Sequence, residues 1–416
     1  MEHVIGLKCM VCVKEYDVNE IDYVCPDHGN EGIVDVVYDY DYIGKHFNRE
    51  DLQKSTDFTI WRYKPLLPVE PDSEVPPLTV GWTPLYRTDR LASSLGLKHL
   101  WIKDDGRLPT ASFKDRASAI AIVKAREKGA EIIMTASTGN AAAALSGLCA
   151  SLDQKNVIFV PESAPKAKIA QLLVFGAKVM LVKGSYDDAF ELCLEAEKEY
   201  GWYNRNTGYN PYMSEGKKTA SFEICEQLKW NAPDVMFVSV GDGCIIGGLH
   251  KGLKDLMALG WIDKIPRIIG VQSAGSDYMY QAWKNNEDVL TKPAIDAQTA
   301  ADSISAGLPR DRIKAMKAVK ETDGAYISVT DDEILKAIPM MARGSGVFGE
   351  PAGAAALAGL LKAIDDRLVN SDDRIVVLNT GNGLKDVVGA MKSVELVGTF
   401  PTYVKPDIED LKRKLA

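Results

Sequence analysis

Residues 131–160 read EIIMTASTGNAAAALSGLCASLDQKNVIFV, and this stretch decides the fold. A β-branched run at 131–135 predicts a strand. The small-residue turn 136–141 and the Ala-rich segment to about Leu152 predict a loop running into a helix, and 156–160 predicts the next strand. The same unit recurs from residue 80 onward. Strands are predicted at 99–103, 178–182, 235–240, 267–271 and 374–378, and helices at 115–128, 166–175, 186–200 and 331–343. Strand and helix in alternation predict an α/β protein with parallel sheets flanked by helices, and such sheets bind ligands at the carboxyl ends of their strands.

At 416 residues the chain exceeds one ordinary core, so two domains with additions are expected. The balance of 49 Lys plus Arg against 58 Asp plus Glu argues against a nucleic-acid partner or an anionic membrane. No apolar run reaches the length of a membrane span, and the opening MEHVIGLKCMVC lacks a basic region followed by an apolar core. A cytoplasmic chain acting on a small molecule is expected.

The first thirty residues form a separate unit. Cys9-x-x-Cys12 and Cys25-Pro26-Asp27-His28 are two ligand pairs, each one tight turn apart. They have the spacing of a tetrahedral zinc knuckle, which would be structural because four protein ligands leave no open position. Reduced thiols beside a surface histidine are the alternative. Cys149, Cys193 and Cys225 read as small buried hydrophobes. Residues 30–80, acidic, aromatic and then Pro-rich, read as an extended arm.

Four loops that follow predicted strands carry chemistry. In Ser112-Phe113-Lys114-Asp115-Arg116, a lysine at a helix start is electrostatically disfavoured as an ammonium, and the same field favours the neutral amine that a Schiff base needs. In Ala136-Ser137-Thr138-Gly139-Asn140-Ala141, hydroxyls and exposed N–H groups suit a carboxylate, and Asn140 can also reach a ring hydroxyl. In Gly241-Asp242-Gly243-Cys244-Ile245, a Gly-rich turn into a helix suits a phosphate. In Asn379-Thr380-Gly381, the hydroxyl suits a pyridine nitrogen. Taken singly, each is also an ordinary capped helix or Gly turn. None of the five histidines (His3, His28, His46, His99, His250) lies in these loops, so a histidine triad is not expected.

Pro109 through Arg116, preceded by Thr83-Pro84-Leu85 and Lys103-Asp104-Asp105, resembles the pyridoxal-phosphate lysine motif of threonine synthases. Ser137-Thr138-Gly139-Asn140, Asn210-Pro211-Tyr212, Glu215-Gly216-Lys217-Lys218-Thr219, Glu350-Pro351-Ala352-Gly353-Ala354 and Thr380-Gly381-Asn382-Gly383-Leu384-Lys385-Asp386 follow in that family's order. The likeness spans roughly residues 80–395.

The resemblance implies a fold-type II pyridoxal 5'-phosphate enzyme, usually a homodimer. It implies a large cofactor domain (36–115 and 204–400), a small mobile domain (116–203), a knuckle (1–35) and a tail (401–416). Lys114 would hold the cofactor, with Asn140 near its ring oxygen. Gly241, Asp242, Gly243, Cys244 and Ile245 would take its phosphate, and Thr380 its ring nitrogen. Ser137, Thr138, Asn140 and Ala141 would take the carboxylate of a small amino-acid substrate.

Three departures stand out. Asp242 and Cys244 occupy positions usually held by Asn or Gly. Ala111 stands where the motif usually has Gly. Tyr212-Met213-Ser214 lacks the basic residue that grips a substrate phosphate, leaving Lys217, Lys218 or Arg205 to compensate. The expected reaction is that of threonine synthase, O-phospho-L-homoserine plus water to L-threonine plus phosphate. β-Replacement, as in cysteate-synthase-like enzymes, and β-elimination, as in serine/threonine ammonia-lyases, are the alternatives. A catalytically silent binding protein is a third, disfavoured by the intact Lys114.

Overall fold

The computed structural model describes residues 1–137, 139–164 and 166–415. Its centre is a six-stranded sheet in the order Ala325–Val329, Arg267–Ser273, Val235–Ser239, Arg374–Asn379, His99–Asp104, Leu85–Arg87. All neighbours are parallel except the edge strand Leu85–Arg87. The inner strands are buried on both faces, which explains why Val235–Ser239 and Arg374–Asn379 read as near-continuous apolar runs. Val235 and Phe237 join one core with the helix Pro351–Asp365. Met236 and Val238 join the other, with Phe222 and Leu249 from the helices Tyr212–Gln227 and Cys244–Ala258.

A second parallel sheet, in the order Lys178–Val182, Lys155–Pro161, Ile132–Ala136, Tyr203–Asn204, carries the opening stretch. One face packs on Phe190 and Leu194 of the helix Tyr186–Tyr200. Leu145 and Leu148 of the helix Asn140–Ala150 lie in the chain's main core with Ile133 and Ile158. The last strand of this sheet straddles residues 203 and 204.

The arm at 30–80 is not extended. Val34–Tyr38 pairs antiparallel with Val4–Cys9, so the N-terminal sheet runs past residue 35. Two short helices, Tyr40–His46 and Arg49–Lys54, and a 3₁₀ stretch, Ile60–Leu66, follow. Polar anchors tie this segment down: Tyr38 and Tyr40 donate to Glu215 and Asp255 at 2.5 and 2.6 Å, and Arg62 pairs with Glu226 at 2.6 Å. The prolines break regular structure, but buried side chains between them hold the segment against the core. Residues 401–416, read as a tail, include a helix at Ile408–Leu415. Among the described residues no helix is long and apolar enough to cross a membrane.

Candidate active site

Val235–Ser239, Arg374–Asn379 and His99–Asp104 lie side by side in the large sheet and point the same way. Their loops therefore emerge together. The loop after His99–Asp104 ends at Lys114, the first residue of the helix Lys114–Glu127. It is pinned to the loop after Arg374–Asn379: Phe113 N–H donates to Thr380 O at 2.9 Å, and Asn382 N–H to Ala111 O at 3.0 Å. Ala111 is left-handed, with φ 65°. That backbone favours glycine and costs another residue about 1 kcal/mol, which is the physical content of the Gly found there in similar motifs.

Lys114 lines a cleft of about 740 Å³ with Ser137, Asn140, Ala141, Asp242 and Arg205. Burial lowers its amine to about 8, aided by the Lys217 and Arg205 charges and opposed by Asp242. The helix start expected from the sequence is present, but burial and the neighbouring cations dominate the shift. Asp242 lines the cleft, and its carboxylate accepts from Arg310 N–H at 3.4 Å.

Gly243 has φ 88° and precedes the helix Cys244–Ala258, whose first turn offers unpaired N–H groups. A Cβ at Gly243 would meet the Ala315 Cβ at 2.7 Å. Gly216 touches the backbone of Arg116, where a Cβ would lie 2.0 Å from the carbonyl oxygen, so Lys217 stands beside the Lys114 turn. Among the described residues, Lys217 Nζ and Ser239 Oγ are buried with no hydrogen-bond partner. Buried polar groups are rarely left unpaired, and an unpaired ammonium is the costliest case. An anionic group seated at the Gly-rich loop would satisfy it, so these residues fit a phosphate-bearing cofactor.

Gly241, Gly243, Cys244, Ile245 and Thr380 are not among the residues lining the cleft. Cys244 is buried against Ser214, with Sγ and Oγ 3.6 Å apart. Thr138 lies outside the described residues. The sequence motifs assign no role to Glu350 or Ser303. Asn140 Nδ2 donates to Glu350 Oε1 at 2.6 Å and to Ser303 Oγ at 3.3 Å. The local signal was Glu350-Pro351, since proline is favoured at the first position of a helix.

Residues 77–381 match the family model described as pyridoxal-phosphate dependent enzyme. The chain belongs to this family. The protein named threonine synthase in Methanocaldococcus jannaschii is 38% identical over 410 residues, covering 98% of each chain. That of Methanosarcina acetivorans is 37% identical over 412 residues, again 98% of each. Among solved structures, the processed form of threonine deaminase isoform 2 from Solanum lycopersicum superposes with a TM-score of 0.65 at 24% identity, covering 76% of this chain and 88% of that one. Diaminopropionate ammonia lyase from Escherichia coli gives 0.64 at 20% identity, covering 85% and 95%. These two share the fold.

In this pyridoxal-phosphate dependent lyase of amino acids, the quoted motifs converge on one buried clamp behind Lys114. Arg116 donates to Asp105 (2.6 and 3.1 Å) and Glu223 (2.5 and 2.8 Å), and also to Thr83 and Thr219. Lys103 adds a bond of 2.6 Å to Glu223. The enzyme also brings Cys9, Cys12, Cys25 and His28 together, with one potential ligand atom from each within 4.8 Å of the others.

Proposed function

We propose that this enzyme converts O-phospho-L-homoserine and water to L-threonine and phosphate. The observation that carries the reading is the 38% identity to the Methanocaldococcus jannaschii protein named threonine synthase, over 98% of both chains. When bound, pyridoxal phosphate supplies an electron sink for negative charge developing on the substrate carbons. Lys114 would hold it through Nζ, Gly241 to Ile245 with Lys217 would hold its phosphate, and Thr380 would face its ring nitrogen. Ser137, Asn140 and Ala141, with Thr138, take the substrate carboxylate. Once substrate has entered, Lys114 Nζ removes the α-proton and redelivers protons along the substrate. An amine near 8 is suited to both directions at neutral pH.

Lys218 does not serve the leaving phosphate, because Glu215 and Asp255 neutralise it at 2.7 Å each. With Lys217 assigned to the cofactor phosphate, Arg205, which lines the cleft and helps to lower the Lys114 amine, is the cation proposed for that role. Met213 is fully buried and leaves no cation at its position, which is the observation favouring β-elimination or β-replacement. Product analysis separates the readings. Given O-phosphohomoserine, phosphoserine, serine and threonine in turn, the protein should release threonine and phosphate in equal amounts from the first alone. No phosphate from O-phosphohomoserine, with 2-oxo acid from serine or threonine, would overturn the proposal.

We also propose that Cys9, Cys12, Cys25 and His28 bind one structural zinc. The Cys12 and Cys25 sulfurs are 3.9 Å apart, near the about 3.8 Å that tetrahedral Zn–S bonds of about 2.3 Å require. About one zinc per chain is expected, and Cys9→Ser should lose it together with several degrees of melting temperature. Metal-free native protein with an unchanged melting curve would refute the site.

A further inference from the structure

Asn140 and Ser303 border both the main cleft and an adjoining groove of about 470 Å³, and Glu350, Lys168 and Lys385 line that groove but not the cleft. The contact between Asn140 and Glu350 thus stands at the partition between the two. It joins residues 210 positions apart, one opening the helix of the small sheet and the other preceding the helix Pro351–Asp365. A second contact reinforces the partition, where Lys168 pairs with Asp302.

The Glu350 carboxyl is packed against Gly381. Its backbone N–H donates to Gly381 O at 3.0 Å, and its Oε1 lies where a Cβ on Gly381 would be only 2.1 Å away. Its side chain caps no helix N–H, so the helix Pro351–Asp365 does not depend on it. What the carboxyl does hold is the amide nitrogen of Asn140, at the helix start assigned above to the substrate carboxylate. One carboxylate therefore already engages a donor that a second carboxylate needs.

We propose that Glu350 is a positioning residue that competes with the α-carboxylate of the amino-acid substrate for the Asn140 amide, so that substrate entry requires Glu350 to release it. The inference rests on the amino-acid substrate proposed above and not on the identity of its leaving group. Glu350 can release the amide because its hold changes with ionisation. Burial raises the carboxyl to about 7, against the lowering effect of Lys385, the Asn140 hydrogen bond, Lys114 and Lys168. The charged groups facing it are Lys385 from the turn Gly383–Lys385, Lys168 from the helix Lys166–Val174, and Lys114. Above neutrality the ionised carboxylate binds the amide by a charge-assisted bond, roughly twice as strong as a neutral one. Below neutrality the bond becomes an ordinary neutral one, and the amide is released more readily.

The test uses binding of L-2-aminobutyrate, which has a carboxylate and no leaving group, to the holoenzyme, with n-propylamine as the probe lacking a carboxylate. At pH 8, Glu350→Ala should bind L-2-aminobutyrate on the order of fivefold more tightly than the native protein, with n-propylamine unaffected. Glu350→Gln keeps an acceptor for Asn140 but no charge. Its affinity should be independent of Glu350 ionisation and should match the native value below pH 6. Unchanged or weaker binding in folded Glu350→Ala would overturn the proposal. If that variant does not fold, a Glu350→Gln affinity equal to the native one at both pH 6 and pH 8 would overturn it. Because the probe has no leaving group and undergoes neither elimination nor replacement, these outcomes stand whether or not O-phosphohomoserine proves to be the substrate.

Discussion

The Lys114→Ala protein is expected to lose activity by about 10⁴-fold or more and to lose covalent hold of its cofactor, while keeping its fold. Lys114 opens its helix from the floor of the cleft, so truncation removes the amine without removing core packing. General acid–base groups contribute about 10²–10⁴-fold, and loss of the covalent attachment comes on top of that. The native protein should show a visible absorption band, and borohydride reduction should fix one pyridoxal group per chain, found by mass spectrometry on Lys114. In the variant, cofactor should dialyse away and reduction should fix none. Fixation on Lys217 in the native protein would sink the assignment, since Lys217 is a second buried amine beside the site. A colourless native protein, even with cofactor supplied, would sink the enzymatic reading altogether.

Arg116→Met is expected to be the most damaging substitution that touches neither cofactor nor substrate. Arg116, Asp105, Glu223 and Lys103 have no exposed side-chain surface, and two cations balance two carboxylates. Removing one cation leaves a buried carboxylate unpaired, at a cost of about 3–5 kcal/mol. The loss should appear in urea unfolding followed by circular dichroism, with loss of cofactor binding because the clamp also anchors the first turn of the Lys114 helix. The double variant Arg116→Met, Glu223→Gln should recover part of the loss, since contacting charges are not additive. A single-variant loss under about 1 kcal/mol would contradict the clamp.

The same pair carries a pH signature. Burial raises Glu223, but Arg116 and Lys103 outweigh it and hold the carboxyl at about 2, below its ordinary 4.5. A depressed carboxylate contributes stability that is full above 4.5 and drains away as pH falls through 2. The native protein should therefore lose this stabilisation in that acid window, and the double variant should show a flatter profile there.

The sequence by itself determined the alternating parallel α/β plan, the four strand-end loops and the lysine at a helix start. These are legible because strand and helix periods, glycine turns and helix caps are local: each depends on residues a few positions apart. The helix at 186–200 and the strand at 178–182 even fall within the boundaries expected. The arm at 30–80 was misread because its prolines are a local signal, whereas the contacts of Tyr38, Tyr40 and Arg62 that fold it down reach across more than 160 positions.

Only the tertiary structure separated Lys217 from Lys218. In the sequence they are two adjacent lysines; in the fold Lys218 meets Glu215 and Asp255, while Lys217 is buried beside Lys114 with no partner among the described residues. The fold likewise paired Asn140 with Glu350 and gathered Thr83, Asp105, Arg116 and Glu223 into one clamp. The physical reason is common to all three. The energy of a charge or a polar donor is set by which atoms stand within a few ångströms of it and by how much water is excluded, and neither can be read from spacing along the chain.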